Sequence, residues 1–203
     1  MDGNFNNSKK IVAKYKMMNA ATESFENGHL WILTGPRGSG KTTLCRRLAA
    51  EARSLGWDVA GVISPAVYDN GDKSGIEVLD LRSGESRLFA RRRVDPNGTP
   101  SHQPGWVFDA LALVWANQVL SNALPCDMLV VDELGPLEME AGQGWTAGLK
   151  ALDSRAYRVA LITIRPELLS AARQRWPFAG VVDTESPESD LDPLETQEER
   201  RDQ

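Results

Sequence analysis

Five short apolar runs along the chain alternate with stretches in which apolar residues recur every three or four positions. The first run, LWILT at residues 30–34, lies between Gly28 and Gly35 and predicts a buried strand. Leu44, Leu48, Ala52 and Leu55 then repeat at helical spacing until Gly56, which predicts a helix over 41–55. VAGVIS at 59–64 predicts a second strand, and the three pieces together predict a right-handed crossover that pairs parallel strands. GIEVLDL (75–81) and SRLFA (86–90) flank RSGE and predict a hairpin at an antiparallel edge. Residues 91–105 are charged and rich in proline and glycine, a long loop of the size that is usually functional or mobile.

The second half continues the alternation. WVFDALALVWANQVL (106–120) predicts a helix with Phe108, Leu111, Ala112, Trp115 and Val119 on its apolar face and Asp109 in its first turn. DMLVVDE (127–133) predicts a third core strand, GQGWTAGLKAL (142–152) a helix, and YRVALITI (157–164) a fourth strand. PELLSAARQRW (166–176), opened by Pro166, predicts a helix and AGVVD (179–183) a last strand. Strands alternating with helices predict an α/β fold, a doubly wound and mostly parallel sheet with an antiparallel edge hairpin.

Composition narrows this picture. With 203 residues, 41% hydrophobic and 25% charged, the chain fits one domain, expected at 28–183. A polar extension, 1–27, precedes it, with a short helix at 9–18 compatible with its composition. An acidic tail, 184–203, follows and is expected to be disordered. That tail holds eight acids against two bases, which accounts for the net charge of -5 and leaves the rest of the chain nearly neutral. No basic face for nucleic acid is expected, and no motif supports a protein partner for the tail. No apolar run approaches the roughly 18 residues of a membrane span and no secretory leader is recognised, so a soluble, cytoplasmic protein is expected. Cys45 and Cys126 lack metal-ligand spacing and are expected to be reduced and structural.

The candidate chemistry lies after the first strand. Gly35, Pro36, Arg37, Gly38, Ser39, Gly40, Lys41 and Thr42 satisfy the phosphate-loop pattern G-x-x-x-x-G-K-[ST], between a strand and a helix as that pattern requires. Glycines let successive N–H groups turn inward as an anion nest, and the first turn of the helix adds its own free N–H groups and dipole. Lys41 can reach the two terminal phosphates, the Thr42 hydroxyl can ligate magnesium (Mg2+), and Thr43 is a further hydroxyl for a phosphate oxygen. Arg37 lies in the loop as a solvated side chain or a ligand contact.

The strand MLVVDELG ends in adjacent acids. Asp132 fits the outer shell of a magnesium ion, which keeps several waters, and Glu133 fits the base that deprotonates an attacking water. Side chains alternate along a strand, so both acids face one site only if the chain turns at Glu133; Gly135 and Pro136 are expected to make that turn. Arg165, ending VALITIR, is expected at the same sheet edge as a catalytic or sensing cation, with Arg91, Arg92 and Arg93 as other candidates. His29 and His102 have no metal-like partner, and Trp31 and Trp115 are assigned to the core, Trp31 with base stacking as its alternative.

GPRGSGKTTL, GVISPAV, VLDLRSGE and VVDELGPLE occur in that order, and on them the chain resembles the small nucleoside-triphosphatase family of P-loop proteins, the cancer-related and thermophile type, from about residue 30 to 183. DELG with a later Glu138, and the D-L-x-S-G-E hairpin, make the resemblance more specific than the loop alone. It implies a RecA-like sheet and magnesium-dependent hydrolysis of the terminal phosphate of ATP, GTP, CTP and UTP. It also implies that 35–42 bind phosphates and that Asp132 and Glu133 line the nucleotide. The chain departs from the family in its extension, its tail, and Pro136-Leu137 where members often carry a basic residue. Two other readings stay open: a kinase of a nucleotide or small molecule using the same cradle, and a slow nucleotide-controlled binding module.

Overall fold

The computed structural model describes residues 28–93 and 105–184. The expected extension, nearly all of the acidic tail, most of the loop after Arg93 and His102 lie outside the described residues. The described elements run β1 (His29–Thr34), α1 (Lys41–Ser54), β2 (Val59–Ile63), β3 (Ala66–Asp69), β4 (Asp72–Asp80), β5 (Ser86–Arg92) and β6 (Trp106–Phe108). They continue with α2 (Ala110–Ser121), β7 (Cys126–Leu134), α3 (Pro136–Met139), α4 (Thr146–Ser154), β8 (Tyr157–Ile164), a 3-10 turn (Pro166–Leu168), α5 (Leu169–Arg175) and β9 (Gly180–Asp183).

The strands form one sheet in the order β6, β5, β4, β2, β7, β8, β1, β9, with β3 paired to β4. From β2 to β9 the strands are parallel, whereas β3 to β6 add antiparallel pairings at one side. The core strands are apolar at consecutive positions because both of their faces are covered. Trp31 and Leu33 of β1 meet Leu44, Cys45, Leu48 and Ala52 of α1 on one face. Leu30 and Ile32 meet the other layer, built from Ala112, Ala116 and Leu120 of α2, Leu149 and Leu152 of α4, and Trp176. The doubly wound α/β sheet and its antiparallel hairpin are therefore as the pattern predicts.

Four local expectations are corrected. β1 and β2 are parallel members of one sheet but do not pair, since β8 and β7 lie between them. Residues 106–108 are not the first turn of a helix: they form β6 against β5, and Asp109 caps α2 by accepting from the Leu111 and Ala112 N–H groups. Phe108 and Leu111, assigned to the buried face, are 53% and 77% exposed. α4 starts at Thr146 because Gly142 and Gly144 adopt left-handed conformations before it. Residues 66–80, of which the sequence pattern marked only 75–80, form the β3–β4 hairpin, whose two-residue turn, Asn70 and Gly71, has φ values of 50° and 90°. A tight turn of that kind needs positive φ at both positions, and Asn-Gly is its common sequence.

Candidate active site

The carboxyl ends of β1, β2, β7 and β8 lie together at one sheet edge, where α/β proteins place their sites. Between β1 and α1 the loop takes three positive φ values, 142° at Gly35, 80° at Gly38 and 88° at Gly40. A side chain at Gly35 would collide with Thr184 Oγ1 and stand 2.9 Å from Ser39 Oγ, so this glycine is required twice over. Gly40 caps α1 without a side chain and no acid sits in the first turn, which leaves the positive end of the helix facing the loop. Lys41 Nζ folds over the concave side, donating to the Gly35 carbonyl at 2.6 Å and the Pro36 carbonyl at 2.7 Å. Burial lowers the Lys41 pKa, while Glu133 and Asp132 act in the opposite direction.

Asp132 and Glu133 reach this edge by a device the strand pattern did not contain. Val131 pairs with Ile162 and Leu134 with Ile164, so two residues of β7 oppose the single residue Thr163 of β8. This is a bulge, and Glu133 within it has φ 64°. The expected turn at Glu133 is present, made inside β7 rather than by Gly135 and Pro136. Asp132 is 1% exposed, and its Oδ2 accepts from the Ser64 N–H at 3.0 Å and its Oδ1 from the Thr163 hydroxyl at 2.7 Å. Burial raises its pKa, opposed by those two bonds and by a hydrogen bond from Thr42. Glu133 points outward, and its Oε1 accepts from Arg165 Nη2 at 2.7 Å.

The structure thus brings together Lys41, Thr42, Asp132, Glu133 and Arg165. Pro36, Arg37, Gly38 and Thr43 line the exposed rim, with Ser39 partly buried among them. Arg91 and Arg92 sit on β5 with Arg93 just beyond it, separated from β7 by β4 and β2. His29 opens β1 at the end away from the loop, and Trp31 is buried in the core. Glu138, part of the resemblance, is buried and accepts from the Gly135 and Trp145 N–H groups, tying down the turn after β7.

Three residues of the site escaped the sequence reading. Ser64 and Thr163 are polar residues within or just after apolar strands, and that interruption was their only signal. Thr184, assigned to the tail, bonds to Ser39 Oγ at 2.7 Å and donates its N–H to the Thr34 carbonyl, bracing the loop. Among the described residues, the hydroxyls of Ser64 and Thr34 are buried without a hydrogen-bond partner. The Thr42 hydroxyl and the Asp132 carboxylate, joined by a hydrogen bond, offer oxygen donors only, the kind suited to a hard cation such as magnesium. No group of three or more His, Cys, Asp or Glu that could hold a metal occurs among the described residues.

A family model described as NTPase matches residues 30–183, the loop, both acids and Arg165 included. The chain belongs to this NTPase family. It is 33% identical over 138 residues to nucleoside-triphosphatase THEP1 of Thermococcus kodakarensis, covering 64% of this chain and 74% of that protein. It is 32% identical over 146 residues to the protein of the same name from Thermofilum pendens, covering 71% and 78%. It is also similar to the solution structure of a human cancer-related nucleoside triphosphatase, with TM-score 0.59, 27% identity and coverage of 79% and 91%. This family member has no helix, among the described residues, long and apolar enough to cross a membrane.

Proposed function

We propose that the protein is a magnesium-dependent nucleoside-triphosphatase that cleaves the γ-phosphate of ATP, GTP and other nucleoside triphosphates, releasing the diphosphate and inorganic phosphate. The observation that carries this reading is the phosphate loop with Glu133 brought to the same edge by the bulge in β7. Membership of the NTPase family and the names of its relatives support the same class of reaction.

In this reading the loop N–H groups and those at the start of α1 hold the triphosphate, and Lys41 leaves the Gly35 and Pro36 carbonyls to bind the terminal phosphates. Thr42 and Asp132 would hold magnesium, Asp132 acting through water, with Ser64 beside them. When bound, the metal ion neutralises charge on the β- and γ-phosphate oxygens. Glu133 orients a water toward the γ-phosphate and takes its proton. Arg165 first keeps the Glu133 carboxylate in place and, on releasing it, adds positive charge beside the terminal phosphate.

The test is release of inorganic phosphate from ATP, GTP, CTP and UTP with magnesium and no acceptor. Steady release from several triphosphates, abolished by chelating the metal, is the expected result. Release only after a nucleotide or small-molecule acceptor is supplied would make the protein a kinase, and negligible turnover with tight nucleotide binding would make it a binding module.

A further inference from the structure

The bulge that turns Glu133 toward the loop needs something to hold it. Beside an ordinary strand residue the N–H group meets a carbonyl of the neighbouring strand, but a bulge leaves one residue without its place in the ladder. Glu133 is that residue, in a left-handed conformation that glycine or asparagine adopts more readily. Its N–H finds a side chain instead, donating to Thr163 Oγ1 at 2.6 Å.

The same hydroxyl serves Asp132. A threonine oxygen has one proton to give and two lone pairs. Here the proton goes to Asp132 Oδ1 at 2.7 Å and a lone pair receives the Glu133 N–H. One atom on β8, 1% exposed as a residue, therefore sets the backbone of one acid and the carboxylate of the other. An unbulged strand would send the Glu133 side chain to the face opposite Asp132. We propose that Thr163 is a positioning residue that holds the β7 bulge and thereby aims the Glu133 carboxylate at the reacting water. Its hydroxyl is engaged by the Glu133 N–H and the Asp132 carboxylate, so it acts through those two acids.

The kinetic arm of this inference rests on the hydrolase reading, so the experiment has a second arm that does not. Thr163→Val keeps the shape and removes the hydroxyl, Thr163→Ala is a second deletion should valine disturb folding, and Thr163→Ser restores the hydroxyl. Expected is a kcat lowered about 10²-fold in the valine and alanine variants, the size of loss that a small misplacement of a reacting group causes. KM and the affinity for ADP change much less than kcat, because the aim of Glu133 matters in the transition state while the Asp132 carboxylate keeps the Ser64 N–H and the Thr42 hydroxyl as partners. The serine variant recovers most of kcat. In parallel, the Glu133 amide, followed by nitrogen-15 NMR, exchanges with solvent faster in the valine and alanine variants than in wild type or the serine variant.

Unchanged kcat in a folded Thr163→Val protein overturns the inference, and so does a parallel loss of kcat and ADP affinity, which would make Thr163 a support of the fold alone. An unaltered Glu133 exchange rate overturns it as well. Absence of phosphate release from wild type counts against the hydrolase reading, and the exchange measurement then decides the role of Thr163 by itself.

Discussion

Two consecutive carboxylates on β7 occupy opposite environments. Asp132 is buried against the Ser64 N–H and the hydroxyls of Thr163 and Thr42, with its pKa raised by that burial. Glu133, one residue later, lies in the open beside Arg165, which suits the base role proposed for it. Their division of labour predicts a division of mutant phenotypes. Glu133→Gln is expected to bind nucleotide as wild type does but to lose turnover by about 10² to 10⁴-fold, the usual contribution of a general base. Lys41→Ala is expected to lose binding and turnover together, since the proposed mechanism has its ammonium contact the phosphates before and during reaction. Phosphate release and equilibrium binding of a fluorescent ATP analogue, measured on both variants, check the pair. Full turnover in Glu133→Gln would refute the base assignment. At this scale the phosphate loop and both acids were legible from residue type and spacing. Ser64, Thr163 and Thr184 were not, because one hydroxyl in an apolar run has the same spelling whether it braces a carboxylate or caps a strand.

Two glycines show how local conformation and element packing separate. Gly40, φ 88°, has open space where a side chain would begin, so Gly40→Ala meets conformational strain only. That strain costs about 1–2 kcal/mol, and the variant is expected to remain folded while binding nucleotide about tenfold or more weakly. Gly61, φ 102°, lies in β2 where a Cβ would collide with the Val130 carbonyl oxygen and stand 2.8 Å from the Val130 nitrogen. Gly61→Ala must push β2 off β7, and a loss of about 3 kcal/mol, the upper end for common substitutions, is expected. Urea unfolding of the two variants compares them, and equal stabilities would contradict this account. The core strands and most helices were readable from their apolar period. β6 was not, because Trp106, Val107 and Phe108 continue the helical spacing of α2 by coincidence. The β3–β4 hairpin had a signal, Asn70-Gly71, without the strong alternation that would have drawn attention to it.

At the scale of the whole molecule, three weak acids are held neutral inside the sheet layers. Burial pushes the Cys126 thiol up to about 12 and raises Cys45 and Tyr157 as well. Each folded value lies above its unfolded one, 9.0 for the thiols and 10.0 for the phenol, so the folded state keeps protons that the unfolded chain releases. Their stabilisation is complete below pH 9 and is lost as pH rises through the folded values. Each group steepens the loss by up to about 1.4 kcal/mol per pH unit. Urea unfolding at pH 8 and pH 10.5 is expected to show this decline, and the double variant Cys45→Ala, Cys126→Ala a shallower one. Both thiols are expected to resist modification in the native protein at pH 8 and to react once it is unfolded, as counted with a chromogenic thiol reagent.

What the amino-acid order determined by itself was whatever depends on neighbours a few bonds away. Glycines at 35, 38 and 40 permit the loop its left-handed backbone, and the apolar period selects strand or helix segment by segment. Tertiary structure decided the rest. The partners of the site are 31 residues apart for Thr163 and Asp132, 32 for Arg165 and Glu133, 68 for Ser64 and Asp132, and 145 for Thr184 and Ser39. Such partners meet only once the packing of both helical layers has chosen the strand order and register. The insertion of β7 and β8 between β1 and β2 is one such choice, and the bulge opposite Thr163 is another. Both arise from contacts that no segment makes alone.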